Sequence, residues 1–135
     1  MEMEIVFPGG KMVDAVYKGF TIRTDQRITS GGDGSAPEPF DLFLASIGTC
    51  SGLYVVAFCQ ERGIPLDNAK LILKTEVNRE TRMLSKIIIE IQLPPEFPEK
   101  YERAVIRAAK LCAVTKHLFE PPVFEIYTTT EQARA

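Results

Sequence analysis

The sequence predicts an α+β fold with antiparallel strands, and three observations carry that prediction. The opening third holds short apolar or alternating runs separated by tight glycine turns. A stretch from Leu42 to Cys59 then runs without a single charged residue. Two β-branched runs joined by a polar connection follow it, and then an amphipathic helical pattern. The order β-β-β, helix, β-β, helix, short helix, β segregates strands from helices, as antiparallel α+β folds do.

In order along the chain, Glu2 to Phe7 is a short apolar run stopped by the turn Pro8-Gly9-Gly10. Lys11 to Tyr17 alternates loosely and suits a half-buried strand. Lys18-Gly19 is a hairpin turn, and Phe20, Ile22 and Thr24 alternate with Thr21, Arg23 and Asp25 as a third strand. Asp25 to Glu38 holds four glycine and proline breakers, Gly31, Gly32, Gly34 and Pro37. It is a loop longer than most connections, which suits either a functional loop or a plain surface one.

Pro39 to Arg62 is the helix around which the rest is organised. Pro39 suits its first turn, while Gly63 and Pro65 end it. Its apolar residues fall on every side of the wheel, as in a core helix or a membrane span. The uncharged run just reaches spanning length. Ser46, Gly48, Thr49, Ser51 and Gly52 sit where a span should be most apolar, so the sequence favours a core helix that packs closely on another.

Ala69 to Val77 and Lys86 to Leu93 are β-branched strand runs, joined by a polar hairpin connection from Asn78 to Ser85. Pro98 to Leu111 is an amphipathic helix with proline and glutamate in its first turn. Ala113 to Phe119 reads as a short second helix, and Val123 to Thr130 as a last strand. Glu131 to Ala135 is a frayed tail. The 135 residues fit one domain, residues 1–135, with no repeat or linker.

A net charge of −2 gives no basic excess for nucleic acid or an anionic membrane. The N-terminus has no basic region followed by a long apolar one, so the reading places the protein in the cytoplasm. Three cysteines in a reducing compartment are free, metal-binding or redox-active thiols rather than a disulfide framework. The sequence has no CxxC, no Cys/His metal cluster and no phosphate loop. Cys50 and Cys59 are nine residues apart, which puts them about 180° apart on a helix. Cys59 lies among Val55, Val56, Ala57 and Phe58 as an inert core thiol, and Cys50 among small and polar residues. Cys112 follows one helix and sits near the start of the next, where the dipole favours a thiolate. His117 is about 140° round from Cys112, which argues against a Cys–His dyad.

The segment PFDLFLASIGTC (Pro39 to Cys50), the uncharged helix after it, and CAVTKHL at Cys112 resemble the OsmC/Ohr family of thiol-dependent hydroperoxide reductases. The order of elements agrees over nearly the whole chain. The resemblance implies an OsmC-like fold, an antiparallel sheet with a long buried central helix, in an intertwined homodimer with sites at the interface. It implies that Cys50 is the peroxidatic thiol, that Cys112 is the resolving thiol, and that a dithiol reductant restores both. Sulfur carries the electrons, so no metal or organic cofactor is implied. The family pattern places an Arg after an early Gly-Gly to hold the thiolate. The matching residue here is Lys11, with Arg23 and Arg27 as alternative cations. The family Glu that orients this Arg falls at Phe40; a less characterised branch, which this chain resembles more, carries its acid at the Asp41 position. An apolar substrate pocket for an organic hydroperoxide would be lined by Phe40, Phe43, Ile47 and Tyr54. The alternative is a non-catalytic small-ligand-binding or redox-sensing protein on the same scaffold.

Overall fold

The structure is a computed structural model that describes residues 1–130, so the expected frayed tail lies outside the described residues. Strands β1 (Glu4–Gly9), β2 (Met12–Tyr17) and β3 (Phe20–Thr24) form an antiparallel sheet in that order. Lys18 at φ 49 and Gly19 at φ 81 make the β2–β3 turn, both left-handed as a two-residue hairpin with matching twist requires. The register puts Ile5, Ala15 and Ile22 side by side, with Tyr17 opposite Phe20. All five share one face, because strand side chains alternate. That face is apolar, yet Ile5 is 50% exposed, Phe20 70% and Ile22 40%. Among the described residues, no other strand or helix packs broadly against this sheet.

Helix α1 (Pro39–Glu61) starts where the sequence places it. Glu38 is its N-cap and Pro39 its first residue. The Asp41 carboxylate accepts the Glu38 amide at 2.9 Å, and the Glu38 side chain satisfies the Asp41 amide in return. At the other end Gly63 takes φ 64, its amide bonds Gln60 and the Ile64 amide bonds Cys59. This Schellman motif satisfies the orphan carbonyls.

Strands β4 (Lys70–Val77) and β5 (Leu84–Gln92) form a separate antiparallel hairpin. β5 begins two residues before the expected Lys86, because Leu84 pairs with Val77 across a bulge. Helix α2 (Glu102–Ala109) follows a 3-10 turn at Glu99–Tyr101, and α3 is Ala113–Phe119. The core joins Val55, Phe58 and Cys59 of α1 to Val105 and Ala109 of α2 and to Phe97, with Leu71 and Ile91 of the hairpin against it.

One expectation needs correction. Val123 to Thr130 forms no strand ladder, and Val123, Phe124, Ile126 and Tyr127 stand almost fully in solvent. A strand needs a partner edge, and this segment pairs with none among the described residues. Helix α1 is central, and a single chain buries one flank of it. Only 28% of its most apolar stretch is buried, on the flank carrying Ile47, Ser51, Val55, Phe58 and Cys59. The helix is long and apolar enough to cross a bilayer by length and composition alone. Its covered flank lies on α2, α3 and β4, and the remainder has no cover within the described chain.

The loop from Asp25 to Glu38 is built around one buried carboxylate. Asp25 accepts the Ser35 hydroxyl at 2.6 Å and the amides of Ser35, Gln26 and Asp33. The Ser35 hydroxyl, with those amides behind it, holds its carboxyl at about 2. The Arg27 guanidinium grips Glu38 at 2.7 and 2.9 Å and holds that carboxyl at about 2 as well. The unfolded chain would bind both protons near pH 4, the folded chain only near pH 2. Stability from these groups is therefore present above about pH 4.5 and lost as pH falls toward about 2. In a pH series of urea unfolding curves, Asp25→Asn combined with Glu38→Gln should flatten the slope in that window. An unchanged slope would assign the acid sensitivity elsewhere.

Candidate functional site: a thiol pair between α1 and α3

Cys112 is the N-cap of α3, and its sulfur accepts the Thr115 amide at 3.4 Å. It is buried, at 1% exposure, and its thiol reaches the Ile47 carbonyl of α1 at 3.9 Å. That carbonyl lies one turn before Cys50, so α3 is docked where α1 presents its half-exposed thiol. Burial opposes ionisation of Cys112. Hydrogen bonds from the Thr115 hydroxyl and amide, the Cys50 thiol and the Val114 amide outweigh it and bring Cys112 down from 9.0 to about 7. All three cysteines are free. Cys59 is fully buried on the opposite flank of α1, and burial pushes its thiol up, partly offset by the Arg62 charge. The structure thus brings Cys50 and Cys112 together and separates Cys59 from both.

Beside the pair opens an apolar cleft of about 800 Å³. Its walls include Ile87, Ile89 and Ile91 of β5 and Val105 of α2, with Ser51 and Thr115 at the end nearest the thiols.

The profile of OsmC-like proteins matches residues 32–126. The chain belongs to the OsmC family. A Psychrobacter arcticus 273-4 protein named for osmotic-stress induction and a detoxification response is 21% identical, with 84% of this chain and 85% of that one covered and a TM-score of 0.72. An OsmC-like protein of Mycoplasma pneumoniae is 12% identical over 89% and 87%, with a TM-score of 0.69. The organic hydroperoxide resistance protein OhrB of Bacillus subtilis is 15% identical over 86% and 89%, with a TM-score of 0.51. At these identities the likeness shows the OsmC fold. No curated sequence matches significantly.

The other residues that the OsmC pattern nominates are spread out. Asp41 caps α1, and nine residues of helical rise put it about 13 Å from Cys50 along the axis. Arg27 is locked on the N-cap Glu38, further still along the same axis. Arg23 is exposed and lies opposite Asp14 on the polar face of its sheet. Lys11 is exposed in the β1–β2 turn, with its side chain running beside Gly31 of the long loop.

The four residues expected to line an apolar pocket stand along one side of α1. Phe40, Phe43, Ile47 and Tyr54 fall within about 80° of Cys50 on the wheel. Phe40 lies about 15 Å up the axis, is 53% exposed, and stacks on Phe43 at 5.3 Å between ring centroids. Ile47 alone is fully buried, beneath Cys112. None of the four lines the cleft, whose walls come instead from β5 and α2. His117 bonds back to the Ala113 carbonyl at 2.6 Å and stays exposed, without a role at the thiols.

Sequence reasoning missed Thr115 and Ser51. The signal for Thr115 was available: a residue three positions into a helix presents its amide to the N-cap side chain. Nothing local marked Ser51, whose place in the cleft depends on β5 and α2.

Proposed function

We propose that the protein is a thiol-dependent peroxidase that reduces organic hydroperoxides, with Cys50 as peroxidatic and Cys112 as resolving thiol. The observation that carries this reading is the meeting of the two cysteines between α1 and α3, with Cys112 brought to about 7. The more accessible thiol, Cys50, meets the peroxide. Its thiolate attacks the O–O bond, the alcohol leaves with a proton, and Cys50 becomes a sulfenic acid. The Cys112 thiolate then attacks that sulfur, releasing water and closing a disulfide. A dithiol reductant opens the disulfide by two exchanges and leaves with a disulfide of its own. No metal or organic cofactor takes part. The name of the B. subtilis relative, organic hydroperoxide resistance protein, supports the substrate class.

The reading includes a homodimer. The apolar face of the β1–β3 sheet, the uncovered flank of α1 and the segment Val123 to Thr130 are open apolar surfaces of one chain, and a second copy would bury them together. Lys11 is the cation this reading assigns to the Cys50 thiolate, delivered across that interface, while Asp41 keeps its capping role. Sedimentation should give a dimer, and Phe124→Asp with Ile126→Asp should convert it to a monomer. A monomeric parent protein would sink the dimer. The free thiols suit the reducing cytoplasm.

A second reading, a small-ligand-binding or redox-sensing protein, draws on the apolar cleft beside Cys112. Turnover separates the two. Steady-state consumption of cumene hydroperoxide with a dithiol reductant should exceed that of hydrogen peroxide. A single oxidation with no steady-state consumption of either would replace the peroxidase by the sensor.

A further inference from the structure

Core packing does not account for one side chain in the wall of the apolar cleft. Ser51 stands there on the covered flank of α1, only 2% exposed. Ser46 and Thr49 of the same helix turn their hydroxyls back onto the Phe43 and Ala45 carbonyls, at 2.7 and 2.8 Å. Among the described residues the Ser51 hydroxyl has no such partner, and it opens into the cleft rather than being sealed in the core. A hydroxyl taken from water without a hydrogen bond costs free energy, and a molecule in the cleft would supply the missing bond.

The remaining walls say what that molecule is. Ile87, Ile89 and Ile91 of β5 and Val105 of α2 call for a hydrocarbon body, and about 800 Å³ has room for a drug-sized one. Among the described residues, Glu102 and Lys110 are the charged side chains of the wall. Both are exposed, at the two ends of α2, and their opposite signs leave no net attraction for an ion. Neither Cys50 nor Cys112 forms part of the wall, and Ser51 points about 100° round α1 from Cys50. A second copy seated on the uncovered flank of α1 would leave this side open.

We propose that the cleft is a binding site for a neutral hydrocarbon carrying one hydroxyl or carbonyl group, which the Ser51 hydroxyl holds by a hydrogen bond. The site is separate from the face on which Cys50 is half-exposed, and it does not rest on the peroxidase reading above. A carboxylate in the same place would lose its water without gaining a paired charge, so the site discriminates against fatty-acid anions.

The test uses the full chain and phenylnaphthylamine, a neutral apolar probe whose fluorescence rises when it leaves water. The probe should bind saturably. Decanol should displace it, and decanoate at neutral pH should do so at least about tenfold more weakly. Ser51→Ala removes the hydroxyl alone and should weaken displacement by decanol about five- to tenfold. Ile106→Glu puts a charge in the cleft wall at a half-exposed position, away from the core, and should weaken both probe and decanol. It keeps the proposal testable should the serine variant disturb the fold. A parent chain without saturable binding would overturn the proposal, as would decanoate that competes as well as decanol. Ser51→Ala or Ile106→Glu chains that bind decanol like the parent would overturn it too. The titration contains no peroxide, so a protein that turns over no peroxide would sink the proposed function and leave this site standing.

Discussion

Replacing Cys50 by serine should lower steady-state peroxide consumption to the uncatalysed background, a loss on the order of 10³-fold or more. A serine hydroxyl at this place is not ionised at neutral pH, and its oxygen cannot give the peroxide the electron pair that sulfur gives. Replacing Cys112 should give a different failure. Cys50 would still react once, so about one peroxide per chain would disappear in a burst. The sulfenic acid would then have no internal partner, and turnover would stop unless an outside thiol reached it. Cys59→Ser should leave turnover unchanged, because that sulfur faces the core on the other flank of α1. The experiment follows peroxide loss under excess reductant, alongside mass spectrometry of the oxidised chain. A burst in Cys50→Ser but not in Cys112→Ser would reverse the assignment of the two thiols. Full turnover in both single variants would place the chemistry away from this site.

The parts of this fold that were legible in the sequence are those fixed by local physics. Pro39 and Gly63 bracket α1 because a proline suits the first turn and a glycine takes the left-handed cap, whatever surrounds them. The Lys18-Gly19 turn and the two β-branched runs were readable for the same reason. The last strand was not, because a strand exists only against an edge, and no sequence pattern says whether the edge belongs to the same chain. The wheel of α1 showed apolar residues all round, but not that α2, α3 and β4 would cover one flank only. At the site, the thiolate-favouring place of Cys112 followed from its position before a helix. Its meeting with Cys50 spans 62 residues of chain and rested on family resemblance until the Ile47 contact was seen. The capping box of Glu38 and Asp41 was hidden because both of its members are acids, where the common box begins with serine or threonine. The Arg27–Glu38 pair closes an irregular loop, to which periodicity gives no access.

The largest stability effect from a single added atom is expected at Gly32. A Cβ built there would stand 2.1 Å from the Gln26 carbonyl oxygen, 2.6 Å from its carbon and 2.8 Å from an Asp25 carboxylate oxygen. Two of these are backbone atoms, so no rotamer change relieves the clash. The Gln26 carbonyl cannot easily move, because it accepts the Gly34 amide at 2.9 Å. The Asp25 carboxylate cannot move either without releasing Ser35, Gln26 and Asp33. Gly32→Ala should therefore destabilise the protein toward the upper end of the ~1–3 kcal/mol typical of overpacking. Gly34→Ala is the control. Its φ of 62 carries a left-handed penalty of ~1 kcal/mol, but its nearest neighbour is the Ile28 side chain at 3.9 Å, an ordinary contact. Urea unfolding of the two variants should rank Gly32→Ala clearly below Gly34→Ala. The same loop is closed at its base by the Asp25 amide on the Pro37 carbonyl at 3.1 Å, and it hands the chain directly to the Glu38 cap of α1. Displacement at Gly32 should thus loosen the start of the helix that carries Cys50, so that peroxide turnover falls along with stability. Equal stability of the two alanine variants would mean that the loop can repack around a methyl group at Gly32, and that the buried Asp25 network is not the rigid element that holds the entry to α1.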